Sequence, residues 1–368
     1  MSELKNAIQA IDSSPSSVAK IGLIEQAIRL ADSLGEEWQA FSLRDDLISV
    51  CTEYGQFMKA LVAFSWCLAK LDEKPQEYRF NYSMVWNYSA LLTRAAAFDQ
   101  VSLERLHGLL ADFAKRMKAI GASERNLHES AIRIGIILRD KEMTLAARDG
   151  IKKHHEDAYT DCEACAQNVL VHTELCFGSF EEAMKLAQPL IDKKMSCNMV
   201  PLRTFGIMIN YMHRAGGYEE LAWRLYQRGI KLIGKKGGFL EQIGNYLIYL
   251  SEVKLTEATK VYQNSLPWAL NETEMPWSVF HFHIGAHILF IRQAAKRKAG
   301  KLKLDNRHLL YKEPPEGEKS SSYDYLALAD YHAKEADALA ARFDKRNGNK
   351  IASELFAKEK AYMRYQLR

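Results

Sequence analysis

The sequence predicts an almost purely α-helical protein, and three observations lead to this fold class. The chain of 368 residues contains 20 glycines and only 8 prolines, so few residues interrupt its segments. Hydrophobic residues make up 48% of the chain and charged residues 26%, and the two kinds are interleaved at helical spacing along most of its length. A short motif of glycine, aromatic residue and alanine also recurs at a near-constant step, which is typical of stacked helical hairpins.

The motif is clearest in residues 176–190, which read CFGSFEEAMKLAQPL. Here Gly178 is followed by Phe180 and then by Ala183. Three other segments place residues at the same offsets. The first anchors of the four units are Met143, Phe180, Tyr218 and Leu255. Neighbouring anchors are 37, 38 and 37 residues apart, and so regular a step indicates an internal repeat.

Each unit is interpreted as two helices joined by a tight turn. Glycine ends the first helix because it alone adopts the left-handed conformation without steric cost. The aromatic residue packs back onto the first helix. The alanine lies where the helices cross, because a small side chain lets the axes approach to about 8–10 Å. One hairpin cannot bury its apolar face alone, so neighbouring hairpins are expected to stack into an elongated superhelix.

The earliest unit, YGQFMKALVAFSWCLAKLDEKP, carries the fullest pattern. Its motif residues are Gly55, Phe57, Ala60, Phe64 and Pro75. These units resemble tetratricopeptide repeats, whose pattern has glycine, aromatic, alanine, aromatic and a final proline at these offsets. The resemblance covers residues 36–270 and implies an α-solenoid of stacked hairpins. We expect N-terminal capping helices in residues 1–35 and C-terminal helices with a cap in residues 271–368.

The breaks between apolar-periodic segments predict the individual helices. We expect helices near residues 18–33, 36–54, 57–72, 78–97, 101–119, 123–139, 142–154, 159–177, 180–193, 201–215, 218–233, 239–252, 255–264 and 276–299. Residues 311–322, YKEPPEGEKSSS, are rich in proline, glycine, serine and charge, and are predicted to form a flexible loop. Two further helices, at 323–343 and 348–366, complete the predicted cap.

Composition limits the classes of partner and location. The formal net charge of +4 is too small to favour nucleic acid. The N-terminal residues lack the apolar core of a signal peptide, and no apolar run is long enough to predict a membrane span. The six cysteines lie mostly in helix-like segments, which favours reduced thiols and a cytoplasmic protein. The oligomeric state is not indicated by the sequence.

A cysteine pair is the sharpest metal candidate. Cys162 and Cys165 form a C-x-x-C motif, and Cys197 or Cys176 could supply a third thiolate, with a neighbouring histidine as fourth ligand. The chain has no second C-x-x-C motif. A redox pair, or small core cysteines with no bound metal, therefore stay open as alternatives, and no cofactor is expected.

Other candidate motifs favour structural roles. His283 and His287 lie one helical turn apart, but no H-E-x-x-H pattern surrounds them, and their apolar neighbours favour packed histidines. The basic stretch 292–307 lacks aromatic residues for base stacking and suits a solvated helix end. Glycine loops for phosphate and G-x-S-x-G elbows are absent from the sequence, so we expect no enzymatic activity.

The resemblance also implies where a partner binds, because the first helix of each hairpin lines the concave face of such a stack. Counting back from the turns gives polar, mostly basic inward positions. The predicted groove residues are Arg139, Asn168, His172, Arg203, Asn210 and Arg214. Asparagine can bond a peptide backbone, and arginine can hold a carboxylate with two hydrogen bonds. We therefore expect a protein-binding or peptide-binding adaptor or regulator that holds an extended or acidic segment along residues 123–215.

Two alternatives keep the helical fold. In the first, a peptide in the groove acts as a switch that releases another partner. In the second, the repeat protein is stabilised by zinc bound through Cys162 and Cys165. At the equivalent inward positions of the last unit the side chains are instead apolar, so the following helices are expected to pack there. These positions are Leu240, Ile243, Leu247 and Leu250.

Overall fold

The computed structural model describes residues 2–15, 17–197, 199–234, 238–271 and 275–366. Over these residues the chain forms seventeen α-helices and one two-stranded sheet, so the all-α class is confirmed. The glycine-rich stretch LIGKKGGFL (232–240), which the sequence predicts as a turn between two repeats, lies partly outside the described residues. Within the described part, none of the helices combines the length and the apolar character that a membrane crossing needs.

The helices follow the predicted segments closely. The first eight are α1 (Ser2–Ser13), α2 (Val18–Leu34), α3 (Glu37–Glu53), α4 (Phe57–Glu73), α5 (Tyr82–Ala95), α6 (Leu103–Ala119), α7 (Arg125–Leu138) and α8 (Lys141–Ile151). The remaining nine are α9 (Glu163–Phe177), α10 (Phe180–Ile191), α11 (Leu202–Ala215), α12 (Glu219–Ile233), α13 (Leu240–Val253), α14 (Leu255–Ala269), α15 (Pro276–Ala294), α16 (Tyr325–Asn347) and α17 (Ile351–Gln366).

Polar caps and turn glycines set the helix ends, with one departure from the prediction. The Ser179 side chain accepts the Glu182 backbone N–H and so starts α10. Gly55 and Gly216 have φ values of 76° and 73°, the left-handed region predicted for turn glycines. Gly178 does not adopt this conformation, since its φ is −116°. A Cβ at Gly178 would overlap the Glu174 carboxylate in its present rotamer and would lie 3.2 Å from the Glu174 Cα.

The chain divides into two compact units, which are described separately. Unit 1 comprises Met1–Ala96, Glu104–Ala131 and Ala147–Thr160, and unit 2 comprises Ala97–Leu103, Ile132–Ala146 and Asp161–Arg368. The predicted domain boundaries at residues 35 and 270 stay predictions.

The core of unit 1 is built around one buried tyrosine. The Tyr88 ring lies 5.0 Å from the rings of both Phe64 and Phe113, and its hydroxyl donates to Asp112 at 2.8 Å. Ala60, the crossing alanine of the fullest repeat, is completely buried. The hydroxyl bond matters because a buried phenol without a partner would cost free energy on folding.

In unit 2 the first helices of successive hairpins pack in order, with contacts from α9 to α11, α11 to α13 and α13 to α15. Each also packs against its own second helix, and the crossing alanine Ala183 is completely buried. The four apolar positions predicted to receive the following helices lie in the same core cluster as residues of α15. The α15 residues of this cluster include Phe282, Ala286, Leu289 and Phe290.

Two glycines let α13 and α15 touch through their backbones. A Cβ at Gly244 would overlap the carbonyl of His281, and a Cβ at Gly285 would overlap the carbonyl of Gly244. Both helices are flanked by large apolar side chains, so this approach brings Leu247 and Phe282 into one core.

A β-hairpin follows α15, and the sequence did not predict it. Strand β1 (Ala299–Leu302) pairs antiparallel with β2 (Ser321–Asp324), with Leu302 opposite Ser321. The prediction of helix through residue 299 was therefore wrong, because α15 ends at Ala294. The end of the predicted loop 311–322 is also strand. The Ser321 hydroxyl lies 3.0 Å from the carbonyls of Lys312 and Glu313, and this short strand is tied to the loop by those bonds.

Buried histidines form a hydrogen-bonded cluster inside unit 2. His332 is completely buried, and its two ring nitrogens meet the Tyr262 hydroxyl at 2.9 Å and the His283 ring at 2.8 Å. His287 bonds the Ala329 carbonyl at 3.0 Å. The packed role favoured for His283 and His287 fits these contacts, because neutral imidazoles satisfy each other in an apolar core.

This cluster predicts that acid destabilises the protein. Burial lowers the pKa of His283 to about 3 and that of His308 to about 4, and it lowers the pKa of His332 well below the ordinary value. Unfolded histidines titrate near pH 6.5, so the unfolded state takes up protons first as pH falls. The free energy of unfolding, measured with urea, should be constant above about pH 6.5 and decline steadily below it.

A matched pair of variants localises this effect. His308→Asn keeps a side-chain acceptor for the Leu310 N–H but removes one titrating group, so the decline with pH should become shallower. The control His107→Asn changes an exposed residue, so the fall in the free energy of unfolding with pH should match that of the wild type. Equal slopes for all three proteins would contradict the assignment.

The helix contact at Gly244 predicts a stability loss. Gly244→Ala should lower the free energy of unfolding by about 1–3 kcal/mol, because the added methyl group must push α13 and α15 apart. Thermal and urea melts measure it. Gly108, in the exposed middle of α6, has open space around it, so Gly108→Ala should stabilise the protein by about 0.5–1 kcal/mol. A neutral Gly244→Ala would rule out the close contact.

Candidate functional site

The site in unit 2 begins with a backbone outlier. Arg139 follows the last residue of α7 with a φ of 56°, a left-handed conformation that costs a non-glycine residue about 1–2 kcal/mol. Its guanidinium donates to the sulfur of Cys176 on α9. Two other repeats place a glycine with positive φ at this turn, Gly55 and Gly216, whereas Arg139 keeps the strain together with a charged side chain. An outlier of this kind points to a role for that side chain.

Two predicted groove residues connect neighbouring first helices. The Asn168 side-chain oxygen on α9 accepts from the Thr204 hydroxyl on α11 at 2.7 Å. The Asn210 side-chain nitrogen on α11 donates to the Asn245 oxygen on α13 at 3.0 Å. Asn210 is only 6% exposed. Each asparagine thus uses one amide atom within the fold, while the Asn210 oxygen is buried without a partner among the described residues, and we leave both asparagines out of the binding surface proposed below.

The other predicted residues meet in what we call the Arg203 cluster, drawn from the C-terminal end of α7 and from α9, α11, α13 and α15. Its members are Arg139, His172, Arg203, Glu241 and His281. Each is half-buried, and each lies close enough to at least one other member for their charges to interact. The cluster therefore combines strong desolvation with remaining access from solvent.

Arg203 is the least compensated charge of the cluster. Among the described residues, no side-chain or backbone acceptor bonds its guanidinium, and no carboxylate lies in ion-pair contact with it. Burial and the nearby Arg133 lower its pKa. It also occupies the first turn of α11, where the positive end of the helix dipole disfavours a cation. Each of these effects would be relieved by an anion.

The two histidines of the cluster are neutral at physiological pH. Burial, reinforced by the charges of Arg139 and Arg203, lowers the pKa of His172 to about 3. Burial also lowers the pKa of His281 to about 3, with Arg139 contributing. The ring nitrogen Nε2 of His281 is buried and has no hydrogen-bond partner among the described residues. Neutral imidazole can donate or accept one bond, so both rings suit amide groups of a ligand.

Glu241 is the one acidic member of the cluster. Burial raises its pKa, although Arg203 and Arg139 act in the opposite direction. It lies in the first turn of α13, where the helix dipole favours a negative charge. Its carboxylate makes no direct ion pair with an arginine among the described residues. The cluster therefore contains one carboxylate and two arginines, and its net charge is positive.

Arg214, at the other end of α11, is engaged by the C-terminal helix. Its guanidinium contacts the Glu359 carboxylate of α17 at 2.5 Å and lies 4.4 Å from the centre of the Tyr362 ring. Tyr211, one turn before it, is 39% exposed. A carboxylate from the same chain thus already binds one of the predicted groove arginines.

The predicted metal candidates are partly brought together. The sulfurs of Cys162, Cys165 and Cys197 all lie within 4.8 Å of one another, whereas Cys176 bonds Arg139 elsewhere in unit 2. In unit 1, a second group brings His128 and His154 beside Glu124, with one His154 nitrogen 3.9 Å from its carboxylate. The sequence did not point to this second group as a set.

Sequence reasoning missed Glu241, His281 and Glu359. Glu241 follows Leu240, a position predicted to face inward, but the inward positions predicted on α13 are all apolar, which concealed it. His281 lies two residues before His283, and nothing in the sequence connected it to Arg139. Glu359 lies 145 residues from Arg214, and no local pattern could pair them.

The comparisons with known proteins do not identify a family. No protein-family model matches the chain, and no curated protein shows significant sequence similarity to it. The resemblance to tetratricopeptide repeats therefore stays a prediction carried by the motif residues. What the Arg203 cluster can bind follows from its own chemistry, which is cationic, desolvated and provided with neutral hydrogen-bonding rings.

Proposed function

We propose that this protein is a non-enzymatic, cytoplasmic adaptor or regulator of tetratricopeptide-repeat type, which holds an extended acidic segment of a partner protein. The observation that carries the proposal is Arg203, a desolvated guanidinium without a partner of its own. A carboxylate placed against it would form two charge-assisted hydrogen bonds in surroundings that screen them weakly. The Arg203 guanidinium is already largely removed from water in the free protein. Binding therefore needs to remove little further water from it, which favours a tighter complex.

The spacing of the arginines on α11 favours an extended peptide. Arg203 and Arg214 are 11 residues apart, which is about 16 Å along a helix and close to three full turns. Both side chains therefore leave the same side of α11. An extended chain advances about 3.3 Å per residue, so acidic side chains about five residues apart would reach both arginines.

The neutral rings of the cluster suit the backbone of such a peptide. His172 and His281 carry no charge at pH 7, so they neither repel Arg203 nor compete for the carboxylate. The unpartnered His281 nitrogen can bond a peptide N–H or C=O group. Carboxylate recognition by Arg203 and backbone recognition by the rings together favour an acidic peptide over an isolated anion.

The test is a binding assay on Arg203. Acidic extended peptides are screened by fluorescence anisotropy, and the best binder is then measured against variants. Arg203→Ala should weaken it at least about tenfold, which corresponds to about 1.4 kcal/mol, because one desolvated contact is lost. The melting temperature of this variant should be unchanged or raised, since the removed charge had no partner. An unchanged or raised melting temperature would exclude unfolding as the cause of the weaker peptide binding.

The control is Arg224→Ala, which removes an exposed arginine from α12, the second helix of the same hairpin. Binding should be unaffected by it. Wild-type affinity should also fall with added salt, as expected for an interaction between charges. Equal losses in the two variants, or the absence of any acidic binder, would overturn the proposal.

A second candidate function is a peptide-controlled switch, and the contact between Arg214 and Glu359 favours it. The carboxylate of α17 occupies an arginine that an acidic peptide would also use. A bound peptide would then displace α17 and alter the surface that α17 covers. Ligand binding and helix release would be coupled, because both compete for the same guanidinium.

Competition of this kind predicts that removing the internal carboxylate strengthens peptide binding. Glu359→Gln should tighten binding of the acidic peptide several-fold and speed hydrogen exchange of the α17 amides. Glu354, an exposed residue of the same helix, provides the control, and Glu354→Gln should change neither quantity. Unchanged affinity in Glu359→Gln would leave the adaptor proposal in place and remove the switch.

A further inference from the structure

We propose that Cys162, Cys165 and Cys197 form a zinc site with three thiolate ligands and one position left to water. All three belong to unit 2. Their sulfurs lie within 4.8 Å of one another, and those of Cys165 and Cys197 are 3.5 Å apart. The proposal does not depend on peptide binding by the Arg203 cluster.

The sulfur separations suit a tetrahedral metal. Zinc binds thiolate sulfur at about 2.3 Å, which places the sulfurs of one site about 3.8 Å apart. The pair at 3.5 Å is already near this value, and the third sulfur lies within 4.8 Å of both. Soft thiolates select zinc over magnesium or calcium, which prefer oxygen ligands.

The backbone holds the ligands from two directions. Cys162 is the residue before α9, and Cys165 lies in the first helical turn, so both sulfurs meet the positive end of the helix dipole. Cys197 comes from the segment before α11, where its own N–H donates to the Val200 carbonyl at 2.8 Å. Beneath them, Ala164, Leu190 and Val200 form a small buried cluster that fixes the two segments together.

Backbone N–H groups are aimed at one of the sulfurs. The backbone N–H groups of Met199 and Val200 form hydrogen bonds to the Cys197 sulfur. Hydrogen bonds of this kind stabilise a metal-bound thiolate by spreading its charge. The two donors are thus placed to support a metal-bound Cys197 thiolate.

The charge balance and the remaining ligand position follow from the neighbours. Three thiolates and one Zn²⁺ carry a net charge of −1, and the Arg203 charge acts on both Cys165 and Cys197. Asp161 is held by Arg133 and so is not free to be the fourth ligand. Cys162 is exposed, which leaves water access to the fourth position.

The experiment is a metal titration of the reduced, untagged full-length protein. Zn²⁺ should bind in a one-to-one ratio and release protons from the thiols. Co²⁺ used as a spectroscopic probe should show thiolate-to-cobalt charge transfer and the intense d–d bands of tetrahedral coordination. Cys197→Ser should lose both signals, while circular dichroism checks that it still folds. Cys176→Ser is the matched control, because Cys176 is half-buried in the same unit but outside the site.

The outcomes separate the alternatives. Equimolar zinc in the wild type and in Cys176→Ser, but not in Cys197→Ser, supports the site. No zinc uptake by the reduced protein overturns it. Equal loss in Cys197→Ser and Cys176→Ser also overturns it, because the effect would then not belong to the three-cysteine site. A Cys165–Cys197 disulfide that forms in air and is unaffected by excess zinc would assign the pair to redox chemistry instead.

Discussion

The close packing of successive first helices is the constraint on which unit 2 depends. Gly206 lies against Gln242, Gly244 against the backbone of α15, and Gly285 against the backbone of α13. At these points a methyl group has no room, so the distance between α13 and α15 is set by backbone contact, and that between α11 and α13 by the base of the Gln242 side chain. The apolar sides of these helices are buried in that contact. The polar residues at the helix ends therefore lie close to one another.

The Arg203 cluster is a product of this arrangement. Arg203 and Glu241 each lie in the first turn of their helix, and packing the helices side by side brings the two turns near each other. The same packing removes water from Arg203 without giving it a partner. A folded protein tolerates such a charge when the large apolar core elsewhere in the unit outweighs it, and natural sequences tend to keep that kind of conflict at binding sites.

The sequence predicts the helices well because their signals are local. The buried alanines Ala60 and Ala183, the turn glycines Gly55 and Gly216 and the apolar periodicity all act within a few turns of chain. The β-hairpin escaped prediction because β1 is a four-residue strand that pairs with a segment about twenty residues later, and basic residues hid it. Contacts between distant residues, such as Arg214 with Glu359, leave no periodic trace. Counting along the repeats predicted which residues of the first helices belong to the site. It did not predict which contacts those residues make.

Arg139 shows how the demands on one residue can oppose each other. A glycine there would relax the left-handed turn after α7, as it does in other repeats, and it would also delete the guanidinium that reaches Cys176. Arg139→Gly would therefore remove the backbone strain and the guanidinium contact with Cys176 together, and its effect on stability would report only the difference between the two.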